Sequence, residues 1–147
     1  MTNFRPGYEL LTAENIHRAL PQAEEMVHQN QLRRQTESTI LDSAMELVEQ
    51  QVDLTSQRVI VVAGEGWHPG VIGIVASRIT EEYCRPSIVL SLDGEKAVGS
   101  ARSIKGFHLY EALSSCSDLL LRFGGHEMAA GLSLSRDNID SFRQQIC

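Results

Sequence analysis

Between residues 58 and 92 the chain places two β-branched runs on either side of one glycine-opened helical segment, and this narrows the fold more than any other stretch of its 147 residues. Arg58-Val59-Ile60-Val61-Val62-Ala63 reads as a buried strand. A glycine-rich loop, 64–70, follows. From Val71 onward, Val71, Ile74, Val75 and Ile79 share one helical face, which predicts a helix to about Tyr83, ended by Arg85-Pro86. Ser87-Ile88-Val89-Leu90-Ser91-Leu92 reads as a second strand. Two strands joined through a helix imply a right-handed crossover and a parallel pair. Asp93-Gly94 predicts a hairpin turn, and 96–103 a third, antiparallel strand. The fold class is therefore α/β, a small mixed β-sheet flanked by helices.

Upstream, residues 22–51 contain neither Gly nor Pro, and Ile40, Leu41, Ala44, Leu47 and Val48 recur at helical spacing. This predicts a long amphipathic linker helix. Its first half is polar nearly all round, a pattern suited to bridging two domains. The apolar stripe does not hold a heptad over several repeats, which disfavours a free-standing coiled coil. Residues 1–14 read as an irregular lead-in with a turn at Pro6-Gly7. Thr12 is placed to cap a helix at Ala13. Ile16, Ala19 and Leu20 fit a short helix, and Pro21 is expected to separate it from the long one. The expected divisions are 1–21, 22–53 and 54–147. Within the last, 108–115 reads as a short helix and 118–123 as an apolar run. Residues 131–134 read as a short strand, and 137–146 as a closing helix capped by Asp137 or Asn138, with Ile139, Phe142 and Ile146 inward.

The net charge of −6 argues against a general nucleic-acid coat but leaves room for a small positive pocket. Arg78, Arg85, Lys96, Arg102, Lys105 and Arg122 all fall in the central part. No stretch approaches the roughly 20 apolar residues of a membrane span. Met1 to Pro6 has no apolar signal core, so a cytoplasmic location is expected. The three cysteines, Cys84, Cys116 and Cys147, lack any C-x-x-C spacing. They are expected to be reduced, with Cys84 and Cys116 partly buried. The five histidines are scattered, which does not suit a metal-dependent hydrolase site.

Three glycine-bearing stretches are candidates for binding: 64–70, 99–106 and 124–126. The first lacks both the P-loop and the dinucleotide spacing. In it Trp67 and His68 either pack beneath the loop or touch a ligand. Along a strand, Ser100 and Arg102 share a face. With Ser103 they offer two hydroxyls and a guanidinium, a fork for phosphate or carboxylate; the alternative is an exposed Arg paired with a nearby acid. In Phe123-Gly124-Gly125-His126-Glu127-Met128-Ala129-Ala130-Gly131, Gly124 and Gly125 read as a loop opening a short helix near His126. Backbone N–H groups at such an opening favour an anion. The alternative is a tight turn with a surface histidine. Taken together these features describe an anion-binding α/β module without catalytic machinery of its own.

Residues 66–78 (Gly66-Trp67-His68-Pro69-Gly70-Val71-Ile72-Gly73 and onward), 99–103 and 123–131, in that order and spacing, resemble the RecJ single-strand-specific exonucleases. The resemblance covers about residues 9–146. It implies an interdomain helix followed by a DHH-associated domain. It also implies that the catalytic DHH domain, which holds manganese or magnesium in that family, is missing, since no Asp-His-His occurs. This chain would then be part of a larger enzyme that hydrolyses single-stranded DNA from the 5′ end, with water as nucleophile, in DNA repair and recombination. Ser100, Arg102 and Ser103 would hold a phosphate of the strand. Gly124, Gly125 and His126 would line the cleft facing the metals, and Trp67 and His68 would chiefly shape their loop. Its partners would be single-stranded DNA and the DHH domain, with no membrane and no cofactor held by this chain. Alternatives are a DHH-type phosphodiesterase for short oligonucleotides or cyclic dinucleotides, and a stand-alone binding or scaffold module.

Overall fold

The computed structural model describes residues 5–12 and 16–147, and the chain divides into two units, Met1–Thr36 and Glu37–Cys147. In the first unit, helix α1 runs Arg5–Leu11 and helix α2 begins at Ile16, continuing to Gln51 in the second unit. Pro6 and Gly7 thus lie in a first helical turn rather than in an irregular lead-in, a place where proline's missing N–H costs nothing. Pro21 lies inside α2 instead of dividing two helices. It stands near the start, where only one intrahelical bond is lost and thirty residues of helix follow. Thr12 donates its hydroxyl back to the Tyr8 carbonyl, 2.8 Å away. Its expected partner, a helix opening at Ala13, lies outside the described residues. The polar half of α2 leaves Val27 and Leu32 exposed.

The second unit is a five-stranded sheet in the order β1-β2-β3-β5-β4. Its elements are β1 Ile60–Glu65, α3 Ile72–Tyr83, β2 Ser87–Asp93, β3 Lys96–Arg102, α4 Leu109–Ser114, β4 Leu120–Gly125, β5 Ala129–Ser135 and α5 Ile139–Ile146. The β1–β2 pair is parallel and the others antiparallel, as the strand–helix–strand reading requires. β1 starts two residues later than the apolar run suggests. Its ladder opens with the Ile60 N–H donating to the Pro86 carbonyl, while Val59 is buried without pairing. Gly64 and Glu65 belong to the strand, not the loop. The β2–β3 turn is Gly94-Glu95, closed by the pair Asp93–Lys96, one residue later than expected.

The sheet separates two cores. On one face Ile88, Leu90, Ala101, Leu132 and Leu134 pack with Leu109 and Leu113 of α4 and Phe142 of α5. On the other, Ile60, Val62 and Val89 pack with Val75 and Ile79 of α3 and with Ile40, Ala44 and Val48 of α2. Each fully buried Ile, Leu or Phe contributes roughly 1.5–3 kcal/mol. The buried hydroxyl of Ser87 bonds the Ala76 carbonyl of α3 at 2.6 Å and meets the Thr80 hydroxyl at 2.6 Å, which ties α3 to β2 without an unpaired polar atom. α5 is preceded by a 3-10 turn, Arg136–Asn138. Asn138 does not cap it; its Nδ2 donates to the Leu119 carbonyl at 3.1 Å. Cys84 is exposed rather than partly buried, and Cys116 is fully buried, which pushes its thiol above the usual range. No helix among the described residues is long and apolar enough to cross a membrane.

Candidate nucleic-acid interface

The segment 123–131 does not open a helix. Gly124 and Gly125 end β4, residues 126–128 turn, and Ala129 and Ala130 begin β5. The His126 N–H donates to the Ala129 carbonyl at 2.9 Å, and the Leu109 N–H at the start of α4 donates to the Glu127 carbonyl at 3.1 Å. Tyr110 and Phe123 meet in a tilted ring contact, with centroids 5.6 Å apart and planes at 43°, which steadies the same hairpin. Alanine's helix propensity is overridden because Ala130 pairs with both Gly125 and Ala101 across the sheet. At Gly125 φ is +152°, and a Cβ there would stand 2.4 Å from the Ala129 carbonyl oxygen. The turn therefore admits only glycine at this position.

Strand alternation sorts the rest. Ala97, Ala101, Leu132 and Phe123 face the α4–α5 core. Val98, Ser100, Arg102, Ala129, Gly131, Ser133, Arg122 and Gly124 therefore face the opposite side. There α3 lies over β2 and β3 and stops short of β5 and β4. The uncovered part has three rows across β3, β5 and β4. Ser100 is level with Gly131 and Gly124, and Val98 with Ser133 and Arg122. Arg102 is level with Ala129, whose carbonyl holds the His126 amide. Arg102 and His126 thus stand at the same end of the sheet, about 10 Å apart along the row. The middle of this face is nearly bare of side chains.

Arg102 lies along the edge of α3. Its Nη1 donates to the Ser100 hydroxyl at 3.2 Å and to the Ala101 carbonyl at 2.8 Å. No carboxylate pairs with it among the described residues, so the alternative of a salt-bridged arginine does not apply. A Cβ on Gly73, in the first turn of α3, would sit 3.0 Å from both Arg102 Nη2 and Ser100 Oγ. The guanidinium and the hydroxyl therefore meet beside the first turn of α3, a suitable place for an anion. In the sequence Gly73 is read only as part of the 66–78 motif, with no binding role of its own. A glycine inside a helix is disfavoured by about 1 kcal/mol against alanine, and that is the signal that marks it.

The remaining candidates divide. Ser103 is buried, with its hydroxyl donating to the Phe107 carbonyl at 2.8 Å, so it shapes the 103–107 loop rather than joining Ser100 and Arg102. Trp67 is 6% exposed and lies against Gly64, and its carbonyl accepts from the Ser91 hydroxyl. It packs beneath the loop. His68 is exposed, and its Nδ1 accepts the Gly70 N–H at 3.0 Å. His126 is exposed at the hairpin, and its Nδ1 accepts the Met128 N–H at 3.3 Å. Gly124 is exposed with open space where a Cβ would go, as part of the bare floor. Among the described residues no group of three or more His, Cys, Asp or Glu is placed to hold a metal ion.

The chain as a whole has relatives of known kind. The chain is 46% identical over 143 residues to the single-stranded-DNA-specific exonuclease RecJ of Bacillus subtilis, covering 96% of this chain and 18% of that protein. The crystal structure of RecJ from Thermus thermophilus in complex with Mg2+ superposes with a TM-score of 0.84 at 33% identity, over 96% of this chain and 21% of that one. A crystal structure of exonuclease RecJ bound to manganese gives 0.80 at 33% identity, over 96% of this chain and 34% of that one. The chain therefore spans well under half the length of these relatives. Residues 56–147 match the DHHA1 domain, and on that match the chain belongs to the DHHA1 domain family.

Proposed function

We propose that this chain is the strand-holding part of a RecJ-like exonuclease that cuts single-stranded DNA from its 5′ end in repair and recombination. The observation that carries this is the convergence of Ser100, Arg102 and the first turn of α3 beside a sheet face floored by Gly124 and Gly131. A phosphate held there accepts charge-assisted hydrogen bonds from Arg102, and Ser100 orients the guanidinium. The bare floor lets sugar and base approach the sheet, and His126 stands where the strand would leave the Arg102 row. Binding of this kind fixes register and neutralises charge; it does not break a bond. In this reading the Mg2+ or Mn2+ named for the RecJ crystal structures is held by the rest of the enzyme. Ser103 takes no direct part in this reading, and its hydroxyl keeps the neighbouring loop in place.

The test is Arg102→Ala in the full-length enzyme containing this domain, with binding of a 5′-phosphorylated oligonucleotide as readout. Losing a charge-assisted bond of roughly 1.5–3 kcal/mol weakens binding about tenfold to a hundredfold. Unchanged affinity would refute the phosphate role.

A further inference from the structure

Arg102 is one of two arginines on the uncovered face, and the second stands apart from the phosphate site at α3. Arg122 lies on β4 between Leu121 and Phe123 and pairs with Ser133 of β5. Phe123 packs into the α4–α5 core, so Arg122 is directed to the same side as Gly124, Gly131, Ser100 and Arg102. It is exposed, and among the described residues no acid pairs with it. Elsewhere in this unit Arg78 pairs with Glu81, Arg136 with Glu65 and Arg143 with Asp140, and Arg85 donates to the Gln57 carbonyl; Arg58, which also has no acid partner, precedes β1 and is not on this face. In a chain of net charge −6, two uncompensated guanidinium groups on one open face run against the overall balance. Between them lie Gly131, Gly124, Ala129 and Ser133, and none carries a side chain longer than a hydroxymethyl.

We infer that Arg122 holds a second phosphate of the same strand, so that the face carries an extended nucleic-acid segment rather than one terminal nucleotide. This rests on the phosphate role proposed for Ser100 and Arg102. The two arginines are two strands apart across the sheet and four residues apart along it. At about 4.8 Å per strand and 3.4 Å per residue, their backbones stand about 17 Å apart, corner to corner across the bare floor. A stacked strand rises about 3.4 Å per nucleotide, so that span corresponds to roughly five nucleotides, fewer if the strand is stretched. Arg122 is a positioning residue: it sets how much strand is gripped, not how the bond breaks.

The experiment is a fluorescence-anisotropy titration of the 147-residue chain with 5′-phosphorylated dT2 and dT8, each across a salt series. Three variants are compared with the parent: Arg102→Gln, Arg122→Gln and Arg122→Lys. Arg102→Gln weakens binding of both oligonucleotides. Arg122→Gln weakens dT8 roughly threefold to tenfold, leaves dT2 within twofold, and lowers the slope of log affinity against log salt for dT8 by about 0.7. Arg122→Lys keeps the charge and restores most of the slope. Wild-type affinity and slope for dT8 in Arg122→Gln, alongside a loss in Arg102→Gln, overturn this inference and leave the phosphate role of Arg102 standing. If the parent chain binds neither oligonucleotide, or Arg102→Gln binds both as the parent does, the Arg102 reading fails and this one falls with it.

Discussion

Gly73 and Gly125 respond in opposite ways to an added methyl group. At Gly125 the obstruction is backbone, with the Ala129 carbonyl oxygen 2.4 Å and the Ala130 Cα 2.5 Å from a Cβ, and φ is +152°. Gly125→Ala is expected to lose about 2–3 kcal/mol of stability, seen as a lower urea midpoint. At Gly73 the obstruction is the mobile end of Arg102 and the Ser100 hydroxyl. Gly73→Ala improves helix propensity by up to about 1 kcal/mol while displacing the guanidinium. Its melting temperature should hold or rise while oligonucleotide affinity falls several-fold, both measured on one preparation. A fall in both would mean that Gly73 serves only packing.

At the scale of elements, the connector between α2 and β1 is organised by one carboxylate. Asp53 accepts from the Thr55 N–H and hydroxyl and from the Ser56 hydroxyl, and these bonds lower its pKa to about 2. A depressed carboxylate stabilises the fold above its unfolded pKa and ceases to do so as pH falls through the folded value. The melting-temperature gap between the parent and Asp53→Ala should therefore be constant above about pH 4 and shrink toward pH 2, followed by circular dichroism. The elements that local pattern specifies were readable: the β-branched run before α3, the face shared by Val75 and Ile79, and the alternation that pairs Ser100 with Arg102. What escaped depends on distant partners. Ala129 and Ala130 favour a helix taken alone and become a strand because β3 and β4 lie on either side. The bare floor arises only from the order β3-β5-β4, which no local window contains. Ser103 looks like a ligand by proximity to Arg102, yet it lies past the strand end, where its hydroxyl turns inward.

On the scale of the whole molecule, where the chain is cut matters more than any one side chain. Ile40, Ala44 and Val48 of α2 complete the core over α3, whereas the family match begins only at residue 56. Removing residues 1–36 should leave a cooperative unfolding transition close to that of the parent. Removing residues 1–53 uncovers part of the core that includes Val62, Val75 and Ile79, and should lower the midpoint sharply or cause aggregation. The intact chain should not degrade single-stranded DNA with Mn2+ present, and products on a denaturing gel would contradict that.

The chain carries a single tryptophan, and it is the buried Trp67 under the loop that leads into α3. Its emission should be blue-shifted while the loop is seated and move to the red as water reaches the indole. The protein thus contains its own optical gauge, a few residues from Gly73. With no dye attached, it can distinguish a variant that has lost its grip on DNA from one that has come apart.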